Sequence, residues 1–355
     1  MSISSDSELR QADTATSRHR ARPVLWWAAI GIAAMVLQTY VYTRWITSDH
    51  FRSVGTGADP VPQWEKICAW LEQSAFTLAA LGTVAWIVRG CVRERRMTFD
   101  AKLLLGTMAL TWLDPIGNMV RISFFMNSYY INRGSWTPFI PGWISPNAGR
   151  LPDPLLVEFT GYMALPLSAV VGCWVLRSIE KRWPAIGKVG LVVSIWVFMM
   201  VAVVIIHQVL VQHSGWAMWT TPQRNLTVFA GTRWQLPIVP DVMFWGAMFA
   251  SLTLLRHFRA PDGRSFVERG VDRVNVPERV RTALATFAVI GYTSTAMLGY
   301  AVCAVAVSLY PGDTMPAQVP SYLVNDMCGP GTEYNCPAPG LPIAVAGHPD
   351  HAPVR

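Results

Sequence analysis

Four ionisable side chains sit where apolar sequence surrounds them, and their types suit proton transfer: Asp114, Glu158, His207 and Asp241. Asp114 closes the apolar run Leu103–Leu113, with Pro115 next and Asn118 four residues on. A carboxylate at membrane depth is costly and marks a functional site by default. Helical spacing puts Asn118 on the face of Asp114, with Arg121 three residues further and near it. Glu158 has Tyr162 four residues on. His207 lies in the run from Val203 to Leu210, and imidazole works as acid or base near neutrality. Each also has a structural reading. Asp114 is an ion-pair partner for Arg121, Glu158 an interfacial acid touching water, His207 a satisfied polar residue, and Asp241, after Pro237 and Pro240, a first-turn helix acid. Asp153 is expected in water. Taken together, the four lie toward one end of their apolar runs. The sequence therefore predicts a single pocket with Asp114, Glu158 and His207 as catalytic groups. Asn118, Arg121, Tyr130, Trp143, Tyr162, Trp216, Trp219 and Asp241 are expected to bind the substrate. Aromatic walls with a few acids suit a large, mostly apolar, oxygenated small molecule. Burial raises a carboxyl pKa, so Asp114 or Glu158 is the expected proton donor, His207 the base or orienter, and Arg121 the group keeping the other carboxylate ionised.

The elements that must position these residues are membrane helices. Of 355 residues, 52% are hydrophobic and 14% charged, against roughly 25% charged in soluble domains. Sixteen tryptophans and ten tyrosines fit chains that meet two membrane interfaces. Seven runs are long enough to span: about 24–46, 71–92, 101–120, 156–177, 187–211, 236–256 and 283–309. Asp114 and Pro115 interrupt the third, which reads as a broken helix re-entering through Ile122–Met126. The fold class is thus an all-α polytopic bundle, a multi-pass cell-membrane protein with membrane lipid as a partner. Basic blocks precede the first run and follow the second, fourth and sixth, which places the N-terminus in the cytoplasm and the C-terminus outside. Three parts are expected: a disordered segment 1–22, the bundle 23–310 and a Pro/Gly-rich tail 311–355. The tail holds too few apolar residues for a core but is long enough to cap the bundle mouth. The net charge of +7 comes in blocks between apolar runs, with no nucleic-acid-binding signature. Cys328 and Cys336 suit a disulfide in an oxidising compartment. No CxxC or HExxH occurs, and no metal site is expected.

Thr111–Asn118, Pro141-Gly142-Trp143 and Pro154-Leu155-Leu156 with Glu158 resemble the AveC-like spiroketal cyclases of actinobacteria, over about residues 24–310. That resemblance implies polyketide tailoring in macrolide pathways such as avermectin. It implies closure of a dihydroxy-ketone to a spiroketal, with a further dehydration in the best-known member, and chemistry that requires no cofactor. Two alternatives remain: a transporter of a secondary metabolite, and a membrane enzyme acting on a lipid or glycan carrier. An opsin-like receptor is excluded, because Lys66, Lys102, Lys181 and Lys188 all lie away from the helix centres.

Overall fold

The computed structural model describes residues 4–348 apart from 311, 313, 314 and 317, with side chains from Pro23 onward. The segment 1–22, expected to be disordered, carries no described side chains. The chain is a helical bundle. In order, the helices are α1 (Ser4–Ile46), α2 (Gln63–Glu94), α3 (Phe99–Met108), α4 (Leu155–Arg182), α5 (Lys188–Ile206), α6 (Trp245–His257), α7 (Glu278–Ser308) and the short α8 (Ser321–Val324). A π-helical stretch, His207–Gln212, prolongs α5, and another, Ile238–Phe244, leads into α6. Six helical stretches are long and apolar enough to cross a membrane: Pro23–Ile46, Gln63–Glu94, Leu155–Arg182, Lys188–Gln212, Ile238–His257 and Glu278–Ser308. Large apolar side chains such as Trp26, Leu78, Val189 and Val302 face outward, as a lipid solvent permits.

The third expected run departs from a continuous span. Helix α3 stops at Met108, and Thr111–Asn118 winds as a 3-10 turn. Pro115 explains the change: it has no N–H for the carbonyl four residues back, and it disfavours helical geometry at Asp114. The segment nevertheless runs from one end of the bundle to the other. Asp100, near its start, pairs with Arg256 at the end of α6 (2.8 and 3.1 Å), and Lys102 pairs with buried Glu268 (2.5 Å). Beyond Asn118 the chain lies at the opposite end, where Asn132 Oδ1 accepts from the Val54 N–H after α1. Ten α-helical and eight 3-10 residues cover about 30 Å, close to a hydrocarbon thickness. Six continuous apolar helices and one broken segment therefore stand where seven equal spans are expected.

Ile122–Met126 is no re-entering helix. Phe124–Met126 is a strand, β1, paired antiparallel with β2 (Ala217–Trp219) in the register Phe124 to Trp219 and Met126 to Ala217. A second pair, β3 (Thr227–Val228) and β4 (Leu236–Pro237), is shorter still. The tail also differs from expectation. Tyr322, Leu323, Met327 and Cys328 are buried with Ile122, Phe125, Leu151 and Met218 in a second apolar core over the ribbon. Cys328 and Cys336 are bonded, with Cα atoms 4.8 Å apart. Glu65, at the start of α2, fastens this end. It accepts from Arg233 Nη2 (2.9 Å), Asn127 Nδ2 (3.2 Å) and the Tyr322 hydroxyl (3.1 Å).

Candidate active site

Helical and strand periodicity converge on one cavity of about 180 Å³ under the ribbon. From α4 come Val157, Glu158, Gly161, Tyr162 and Leu165, a stripe repeating every three or four residues. Asp241, Trp245 and Phe249 repeat every four across the π-to-α junction at α6, and His207 and Val211 do so at the end of α5. The strands contribute alternate residues, Phe124 and Met126 from β1 and Ala217 and Trp219 from β2. The intervening Phe125 and Met218 are buried in the tail core. Asp114 enters from the 3-10 turn, Tyr300 from α7 and Phe76 from α2.

Two carboxyl–tyrosine pairs stand in the wall, which His207 also lines. The Tyr162 hydroxyl donates to Asp114 Oδ1, and the Glu158 carboxyl reaches the same aspartate. The Tyr300 hydroxyl donates to Asp241 Oδ1 at 3.3 Å, with the Trp245 ring edge-on to Tyr300 at 4.6 Å. Asp114 is near enough to Asp241 and Tyr300 to act on both electrostatically. Glu158, Asp241 and both tyrosines are buried. Acidic groups held this close, in an otherwise aromatic and aliphatic wall, can pass a proton to a bound oxygen and stabilise a cation beside it.

Asp114, Glu158, Tyr162, His207, Trp216, Trp219 and Asp241 thus share the cavity. Four expected site residues do not line it. Asn118 closes the turn after the 3-10 segment: its Oδ1 accepts from the Ser123 and Phe124 N–H groups, and its Nδ2 donates to Phe124 O. Arg121 donates to Ala338 O in the tail at 3.1 Å. The chain leaves helical geometry after Met119, so the i,i+3 reasoning that linked Arg121 to Asp114 fails. Tyr130 donates to Glu72, and Trp143 to Ser145 O. Asp153, expected in water, is fully buried and accepts from Ser135 Oγ. Sequence reasoning passed over Tyr300, Trp245, Phe249 and the ribbon residues Phe124, Met126 and Ala217. The four-residue repeat counted from Asp241 points to Trp245 and Phe249, whereas Tyr300 carries no local signal. Among the described residues, no three His, Cys, Asp or Glu side chains gather as a metal site.

Residues 94–323, more than half of the chain, match the family model described as spirocyclase AveC-like. No curated protein and no solved structure matches the chain. The matched region holds both carboxyl–tyrosine pairs, His207, Trp216 and Trp219, and leaves α1 and Phe76 outside. With so much of its length matched, and the cavity's acids within it, the chain belongs to the AveC-like spirocyclase family.

Proposed function

We propose that the protein is a cofactor-independent spiroketal cyclase, closing a dihydroxy-ketone segment of a polyketide with loss of one water. The observation that carries this reading is the contact of Asp114, Glu158 and Tyr162 in the wall of an apolar cavity. One hydroxyl adds to the ketone and gives a hemiketal. A proton shared by the Asp114 and Glu158 carboxyls goes to the hemiketal hydroxyl, which leaves as water. The second hydroxyl traps the oxocarbenium ion and returns its proton to the carboxyl pair, so the net change is keto-diol to spiroketal plus water. The ionised carboxylate stabilises the cation, and Tyr162 holds Asp114 in place. His207, in the same cavity, receives or orients the attacking hydroxyl. Apolar walls fold the chain so that hydroxyls and carbonyl meet, and they limit capture of the cation by bulk water. Arg121, bound to the tail, has no part. A dehydration of the ring is a separate step and requires a base at a ring carbon.

The test is conversion of a synthetic keto-diol by the purified protein in detergent, with no cofactor added. Product mass reports one loss of water for cyclisation and a second for dehydration. Asp114→Asn and Glu158→Gln are each expected to slow cyclisation at least about 10²-fold relative to wild type, the size of a lost acid–base contribution. Full turnover in either folded variant would remove that residue from the mechanism. Vesicle uptake of the keto-diol without conversion would instead establish a transporter.

A further inference from the structure

The cavity under the ribbon is closed above and below but not at its side. Below it, α4 crosses α5 and α6, where a Cβ on Gly172 would lie 2.8 Å from Met199 Cε and 2.5 Å from Thr253 Oγ1. Above it lies the ribbon, packed against the tail through Phe125 and Met218, with the Trp216 ring edge-on to Phe76 at 6.4 Å. Between these levels neither helix continues regularly: Pro166 interrupts α4, and α5 turns π-helical from His207. There the wall opens. Ile206 of α5 lines the cavity and is 44% exposed. On the other edge Phe76, Gly161 and Leu165 are half-buried, and a Cβ on Gly161 would meet nothing within 4 Å except the Phe76 ring. Asp114 is itself accessible in part, so the opening reaches the acid pair.

The rim carries no charge. Residues 73–88, 159–176 and 189–212 contain no Asp, Glu, Lys or Arg, and the exposed side chains Leu78, Leu167, Ile205 and Val209 are aliphatic. All lie in helical stretches long and apolar enough to cross a membrane. An opening bordered by continuous exposed apolar surface meets hydrocarbon rather than water. Size gives a second argument. At about 180 Å³ the cavity is smaller than the roughly 300–1,000 Å³ that encloses a drug-sized molecule. A larger ligand must leave part of itself outside, and at this opening that part finds an apolar surrounding.

We propose that the cavity opens sideways into the hydrocarbon of the membrane, between Phe76, Gly161 and Leu165 on one edge and Ile206 on the other. The ligand enters from lipid and leaves an aliphatic portion there, while its oxygenated segment sits beside Asp114 and Glu158. The proposal rests on the cyclase reading only in taking that segment to be the keto-diol.

Nitroxide accessibility tests the opening apart from turnover. The full chain, with free Cys68, Cys91, Cys173 and Cys303 replaced by alanine, carries a nitroxide at Gly161→Cys in phosphatidylcholine liposomes. Collision with dissolved oxygen, which concentrates in hydrocarbon, is expected to exceed collision with a water-soluble nickel chelate, as it should at exposed Val209→Cys. If Gly161→Cys fails to fold, Leu165→Cys, one helical turn on, carries the test. A nickel preference, or no collision with either reagent, overturns the opening. Specificity reads the outlying chain. Gly161→Phe, which narrows the opening, should lower turnover of a keto-diol bearing a decyl chain at least about ten-fold more than turnover of the plain keto-diol, within the range that apolar fit supplies. Ile206→Trp serves if Gly161→Phe does not fold. Equal losses overturn the outlying chain. Oxygen access at position 161 with no conversion of either keto-diol by wild type keeps the opening and removes the cyclase reading. Conversion by wild type with the nitroxide reached by nickel does the reverse.

Discussion

Asp153 shows how far a single carboxyl depends on its surroundings. It sits just before α4, with no solvent exposure, one oxygen held by Ser135 and the other without a hydrogen-bond partner among the described residues. Burial pushes its carboxyl well above the ordinary value of 3.8. A raised carboxyl favours folding while protonated, and its contribution is lost as pH climbs from the unfolded value through the folded one. Asp153→Asn, which carries no ionisation, should therefore gain thermal stability relative to wild type between about pH 4 and neutrality. Unfolding of both proteins in detergent across that range checks it, and a difference constant with pH would refute it. The sequence leaves this burial hidden, because Pro152-Asp153-Pro154 reads as an ordinary loop. Asp114 and Glu158 were legible, since an acid inside apolar sequence has few explanations. Their contact was not, since they are 44 positions apart on different elements.

Helices α1 and α7 approach each other closely at two glycines. A Cβ built on Gly31 would lie 2.0 Å from the Phe287 carbonyl oxygen, and one on Gly291 would lie 2.0 Å from the Trp27 carbonyl oxygen. The two backbones touch, the arrangement that small residues allow in lipid, where van der Waals packing replaces the hydrophobic drive between helices. The same helix offers its own control, since a Cβ on Gly299 meets nothing within 4 Å. Gly291→Ala should lower the melting temperature in detergent, with an overpacking cost of about 1–3 kcal/mol, while Gly299→Ala leaves it in place. Equal melting temperatures for the two variants would show that α1 and α7 separate freely. Tyr300 reaches the cavity from α7, so keto-diol turnover by Gly291→Ala should fall as well. The elements were readable to different degrees. Six long runs announced themselves by length and apolarity. Pro115 announced a break but not its form, and a three-residue strand such as β1 is too short to show alternation against a helix pattern.

For the molecule as a whole, the two ends of the bundle are fastened differently. At the end where α2, α4 and α6 finish, ion pairs tie α3 to its neighbours through Asp100 with Arg256 and Lys102 with Glu268. At the other end, the ribbon, the tail and the Glu65 contacts cover the cavity. Basic sequence is concentrated at the first end, as cytoplasmic loops are. Reporter fusions after Arg95, Ala185 and Ser265 should therefore read cytoplasmic, and one after Pro320 should read outside. A cytoplasmic signal at Pro320 would mean that the broken segment through α3 does not cross. The candidate cavity, lying toward the second end, would then require a different leaflet assignment.

What the sequence determined by itself was the apolar character of the helices and the candidate acids. Its low charge, long apolar runs and interfacial aromatics required a membrane bundle, because backbone in lipid must satisfy its own hydrogen bonds. The isolated acids required a purpose, because lipid penalises them. Tertiary structure decided which acids meet, since only packing sets distances between elements far apart in sequence. It paired Tyr162 with Asp114 and Tyr300 with Asp241, and it turned Arg121 and Asn118 away once the helix ended. It also made a core of the tail, whose few apolar residues become sufficient when Tyr322, Leu323 and Met327 close against a ribbon already buried on its other face.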